Sequence, residues 1–134
     1  MTNYLGNSSL LNLHKIGFLA SRRISTLSVL PTLDWAAETA KCVDVAVVSG
    51  FHSRLERDVL KFLLRGRCGI IIVLARGIYK TIPEQYREAY SANRVLFISN
   101  EKPTVTRTSE LTCHRRNDYV RSISDDLKFI NNPS

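Results

Sequence analysis

The chain is short of negative charge. Over 134 residues, twelve Asp and Glu face nineteen Lys and Arg, for a formal net charge of +7. A surplus of that kind bears on partners, not on fold. A long apolar run is also missing. The stretch from Cys68 to Ala75 is far shorter than the roughly 20 residues of a membrane helix. The N-terminus has no signal-peptide core. No membrane partner is expected, and a cytoplasmic location is. Cysteine is scarce: Cys42, Cys68 and Cys113 lie far apart, with no CxxC and no metal-ligand spacing. They read as buried thiols in a reducing compartment. No HExxH is present, no GxGxxG follows the first predicted strand, and no GxxxxGK[ST] occurs. These absences argue against a zinc hydrolase, a dinucleotide dehydrogenase and a P-loop ATPase, and no cofactor is expected. No repeat, low-complexity tract or linker interrupts the chain, so residues 1–134 read as one domain.

What the chain does have is arginine, thirteen against six lysines. The planar guanidinium fork matches phosphate, which leans toward nucleic acid or nucleotides, with a merely soluble basic surface as the alternative. Apolar segments alternate with amphipathic ones. Lys15–Ala20, 44–48, Ile70–Leu74, Arg94–Ile98 and Leu127–Ile130 read as strands. Helices are predicted over about 29–42, 53–65, Pro83–Ala92 and 108–123. The run Ile70-Ile71-Ile72-Val73-Leu74, apolar throughout, fits a strand covered on both faces. The expected fold is α/β: a Rossmann-like, doubly wound, mostly parallel open sheet of about five strands with helices on both faces. Residues 1–13 are expected to form a short helix or a loose arm. The chain stops just past the last predicted strand, without the usual closing helix, so a missing C-terminal segment is expected.

In such a sheet ligands bind where strands end and helices begin. Val45-Ala46-Val47-Val48-Ser49-Gly50, running into Phe51-His52-Ser53, is such a junction. Gly50 allows positive φ or close approach to the backbone; Ser49 offers a hydroxyl. Free N–H groups at the following helix start suit a phosphate. Ser53-x-x-Glu56 matches a capping box, which accounts for both residues without any ligand. The competing reading has Ser53 holding phosphate and Glu56 contacting a ribose or a base. His52 could serve as a base near neutral pH, but no nucleophile pairs with it. Cys113-His114 is no dyad, because adjacent helical residues diverge. Arg22, after Ser21 at the end of the first predicted strand, Arg76 at the end of the third, and Arg107, Arg115, Arg116 and Asn117 further on would line one edge of the sheet as an electrostatic funnel.

Taken in order, four pieces resemble the Rossmann-like core of the DNA-processing protein A family (DprA, also called Smf), within the SLOG superfamily. Ala20-Ser21-Arg22 stands where the family has Gly-Ser-Arg. Val48-Ser49-Gly50, with Ser53, stands for its Val-Ser-Gly block. Ile72 to Gly77, on to Ile82-Pro83, is similar to its strand and proline-ending loop, and Arg116-Asn117 matches its Arg-Asn pair. The likeness covers about residues 15–130. It implies single-stranded DNA binding in a basic pocket at the sheet edge, a homodimer, and in the family recombinase loading during natural transformation. By this correspondence the pocket residues are Ser21, Arg22, Ser49, Gly50, Ser53, Arg116 and Asn117.

The chain also departs from the family. Ala20 replaces a glycine, and Ser49-Gly50-Phe51-His52-Ser53-Arg54-Leu55-Glu56 lacks the second glycine and the aspartate of Ser-Gly-x-Ala-x-Gly-Ile-Asp. Flanking domains of full-length members are absent, which argues against carrying the recombinase contact over. The superfamily also holds nucleotide phosphoribohydrolases and sensors of nucleotide-derived ligands. The hydrolases carry Pro-Gly-Gly-x-Gly-Thr-x-x-Glu where this chain has Ile98-Ser99-Asn100-Glu101-Lys102-Pro103. Glu56 is a catalytic carboxylate only by analogy of position. Non-enzymatic binding of single-stranded DNA is therefore expected, with a nucleotide sensor or hydrolase as the alternative.

Overall fold

The all-apolar run becomes the centre of a sheet. The computed structural model describes residues 1–131. Strand β4 (Gly69–Leu74) is buried at every position. It lies between β3 (Val45–Ser49) and β5 (Val95–Ser99). Outside these come β2 (His14–Ala20) and β6 (Asp126–Ile130) on one side and β1 (Asn3–Gly6) on the other, in the order β1-β5-β4-β3-β2-β6. All pairings are parallel except β1 with β5.

Alternation along the strands sends side chains to two cores. Val47, Ile70, Ile72 and Phe97 join a cluster under α1 (Val29–Thr39), α2 (Arg54–Leu64) and α3 (Arg87–Ser91). Val48, Ile71, Val73, Leu96 and Ile98 face Val120 of α4 (Glu110–Ile123), together with Leu10. Helix α2 buries Leu55, Val59 and Leu63, spaced at i, i+4 and i+8. Arg94 donates to the last carbonyls of the helix, Leu63 (2.5 Å) and Leu64 (3.2 Å), and to that of Cys68 beyond it (3.0 Å). A cation there also complements the helix dipole.

The N-terminal arm differs from expectation. Residues 3–6 form a sixth strand, with Tyr4 opposite Ile98 and Leu5 opposite Phe97. A 3-10 turn, Ser8–Asn12, then buries Leu10. Four residues of Asn-Tyr-Leu-Gly carry too short a pattern to read as a strand; the exposed edge of β5 imposes the pairing. The thiols differ too. Cys68 is fully buried, and burial pushes its pKa up to about 11. Cys42 is exposed on the connection from α1 to β3, and Cys113 is half-buried. Cys42 follows the end of α1 and so escapes the core-facing period.

The path of the chain makes a crevice. From β2 to β5 it steps one way across the sheet, with α1 to α3 on one face; α4 then returns over the other face and delivers β6 beside β2. The C-terminal ends of β2 and β3 are left between the N-termini of α2 and α4.

Candidate functional site

A cleft of about 550 Å³ occupies that crevice. Ser21 and Arg22 follow β2, His52 and Ser53 precede α2, and Thr108 and Ser109 precede α4; Cys113, Arg116 and Asn117 project from α4 itself. Both helices begin with a side-chain cap. The Ser53 hydroxyl accepts from the Glu56 N–H at 3.4 Å, and the Ser109 hydroxyl from the Thr112 N–H at 3.1 Å. Two helix N-termini, each carrying partial positive charge, thus meet at one cavity.

Arg116 forms the floor. Only 7% of it is exposed. Its guanidinium lies across Gly50, where an added Cβ would fall 2.5 Å from its Cδ, Nε and Cζ. Nε donates to Asn117 Oδ1 at 2.8 Å, which fixes the plane of the fork. Among the described residues no carboxylate lies within ion-pair distance of it. A nearly buried, unpaired guanidinium is costly unless an anion joins it. Its neighbour Arg115 is spent elsewhere, in a two-pronged bond to Glu101 at 2.8 and 3.1 Å.

Gly50 is needed for this close approach, not for its own torsion. The positive φ of the junction falls on Phe51, at 50°. Phe51 is 5% exposed, and its N–H donates to the Ser49 hydroxyl at 3.0 Å. A bulky residue in the left-handed region costs about 1–2 kcal/mol, and such strain collects at functional sites.

Glu56 is buried and accepts three backbone N–H groups. Oε1 takes those of His52 (2.8 Å) and Ser53 (3.1 Å), and Oε2 takes that of Ala20 (2.9 Å). The carboxylate closes the capping box and also ties the end of β2 to the start of α2. An ionised carboxylate has about four acceptor sites, so little of it remains for a ligand. Desolvation in the cleft, followed by the charge of Arg116, holds the His52 imidazole below its ordinary pKa of 6.5.

The structure gathers Ser21, Arg22, Ser53, Glu56, Arg116 and Asn117 around the cleft, with Gly50 beneath Arg116. Ser49 is fully buried under the loop and does not line the cavity. Arg76 lies outside it, over the Tyr79 ring at 4.9 Å, with Nε donating to the Gly77 carbonyl at 3.1 Å. Arg107 is exposed and also outside the lining. His114 pairs with Asp118 at 3.5 Å, away from Cys113 chemistry. Sequence reasoning missed Thr108 and Ser109. Ser109-x-x-Thr112 was the available signal, a capping box with Thr where Glu or Gln is usual. Among the described residues no cluster of His, Cys, Asp or Glu is placed to hold a metal ion, and no helix is long and apolar enough to cross a membrane.

Parallel α/β topology with a polar cleft at the strand ends, lined by Arg22 and Arg116 and by Glu56 and Glu110, defines a Rossmann-like domain. Residues 2–133 match the model of the DNA recombination-mediator protein A family, and the chain belongs to that family. No curated protein matches the sequence. Among solved structures, DNA processing protein A (DprA) from Streptococcus pneumoniae superposes with a TM-score of 0.73 at 17% identity, over 96% of this chain and 45% of that one. DNA processing protein A from Helicobacter pylori, solved for its single-stranded DNA binding mode, superposes with a TM-score of 0.72 at 21% identity, over 96% of this chain and 59% of that one. The chain therefore spans about half the length of the structures it matches.

Proposed function

We propose that the cleft binds the phosphate backbone of single-stranded DNA, without catalysis, in a cytoplasmic homodimer that acts in DNA processing or recombination. The carrying observation is Arg116, 7% exposed and without a carboxylate partner among the described residues, at the floor of a cavity that two capped helix N-termini also face. Arg22 at the rim supplies a second cation, and Ser21 and Ser53 supply hydroxyls. Membership of the DNA recombination-mediator protein A family supports DNA as the anion. The Glu56 carboxylate, already taken up by three backbone N–H groups, supports binding over hydrolysis.

Fluorescence anisotropy with labelled oligonucleotides across a salt series tests this reading. Affinity falls steeply with salt when phosphate contacts dominate. Replacing Arg116 by alanine removes a charge-assisted contact of about 1.5–3 kcal/mol, an expected loss of about 10- to 100-fold. Equal affinity in Arg116→Ala and the parent protein would falsify the cleft as the DNA site.

A second reading rests on cavity size. About 550 Å³ is within the range of small-ligand sites, roughly 300–1,000 Å³, so a free nucleotide fits the same phosphate cradle. Native mass spectrometry separates the two: a co-purifying nucleotide supports the sensor or hydrolase, and release of base that Glu56→Gln abolishes would identify the hydrolase.

A further inference from the structure

Helix α2 carries a basic face that the cleft does not use. Arg54, Arg57 and Lys61 are exposed and line a separate groove of about 400 Å³, together with Phe51, Asp58, Leu60 and Gln85. Their i, i+3, i+7 spacing places them on one face of the helix. Among the described residues Asp58 is the one carboxylate of the groove, and Lys61 pairs with it at 3.7 Å. Arg54 and Arg57 make no ion pair among the described residues.

Their position is unfavourable for the helix itself. Arg54 is the first residue of α2 and Arg57 the fourth, where the dipole disfavours cations by about 0.3–1 kcal/mol each. Helix stability does not explain them. The groove also adjoins the cleft within one strand–helix junction. Phe51 and Arg54 line the groove, while His52 and Ser53, between them, line the cleft. The two cavities are close enough that the Arg57 charge acts on the His52 imidazole.

We infer that the groove is a second tract for the nucleic-acid backbone: a single strand seated on Arg116 leaves the cleft over His52 and runs along Arg54, Arg57 and Lys61. The tract spans about 10 Å, seven residues at 1.5 Å each. This rests on the proposed single-strand binding, and it makes the footprint longer than the cleft alone can hold.

The test compares two labelled oligothymidylates, of about 4 and about 16 nucleotides, the limits of common single-strand site sizes. The variant is Arg54→Gln/Arg57→Gln/Lys61→Gln. It is expected to bind the short oligonucleotide as the parent does and the long one at least tenfold more weakly. The log–log salt slope for the long one should shrink by about 2, three contacts at roughly 0.7 each. Its melting temperature should hold or rise, since two cations leave a helix N-terminus. An unchanged long-strand affinity and slope overturns the tract while leaving the cleft standing. Loss of short-strand binding in Arg116→Ala, beside normal behaviour of the triple variant, likewise overturns the tract and keeps the cleft. Parent protein that binds neither oligonucleotide overturns both readings.

Discussion

An alanine at position 50 would place its Cβ 2.5 Å from three atoms of Arg116. The obstacle is a flexible side chain, not backbone, so the protein can yield. Gly50→Ala should therefore cost about 1–3 kcal/mol, the usual range for one methyl group too many in a packed site. The larger effect is on function, because Arg116 yields only by leaving the floor of the cleft. Anion affinity should fall at least tenfold, about 1.4 kcal/mol. Thermal melting and an oligonucleotide titration on the same variant separate the two effects. Unchanged affinity with a lowered melting point would show that Arg116 does not bind from its observed position. This glycine stood out in the sequence as a turn residue; the close approach of Arg116 to it did not. A strand-end Ser-Gly invites a torsional explanation, yet the left-handed residue is Phe51. What makes Gly50 necessary is a side chain 66 positions later, and no local pattern encodes that.

At the scale of elements, α4 is what completes the site. It carries Cys113, Arg116 and Asn117 into the cleft on one face, while Arg115 anchors it to Glu101 and Val120 enters the second core. The start of α4 is set by Ser109, which exchanges bonds with Thr112 in both directions, at 2.8 and 3.1 Å. Ser109→Ala should cost about 1 kcal/mol, the usual value of an N-cap, read by urea denaturation. Ser109→Asn should retain most of the stability, since asparagine caps as well. Equal losses in both variants would show that the loss does not come from the side-chain cap. The regular elements with full-length apolar patterns, β3, β4, β5 and α2, were legible because burial on one or both sides writes itself into the residue period. Strand β1 was not, since only the free edge of β5 defines it. The α4 cap was not, since its reciprocal partner is Thr112 and not an acid or amide.

For the molecule as a whole, the charge of +7 hides two kinds of arginine. Arg94, Arg115, Arg76, Arg87 and Arg121 are held by carbonyls, carboxylates or rings. Among the described residues Arg22, Arg54, Arg57 and Arg116 make no ion pair and lie at the cleft and its neighbouring groove, while Arg23, Arg65, Arg67 and Arg107 make none and lie outside both. Half of these unpaired arginines thus lie at the cleft and groove, and the net charge as a whole attracts a polyanion at long range. The same charge opposes contact between two copies of the chain. Yet β6 lies at the sheet edge with Leu127 45% and Phe129 47% exposed, and an exposed apolar edge strand invites pairing. If the proposed homodimer pairs through β6, these two forces compete there and salt decides the balance. Screening shortens the Debye length from about 10 Å at 0.1 M to about 3 Å at 1 M. It removes repulsion between like-charged copies and leaves apolar contact intact. Dimerisation through β6 should then strengthen with salt, while DNA binding weakens. Sedimentation velocity over a concentration series at low and high salt measures the first, and Phe129→Lys should shift the population to monomer. A dimer that dissociates as salt rises, or one indifferent to Phe129→Lys, would place the contact elsewhere, on a surface held by charge and not by the β6 edge.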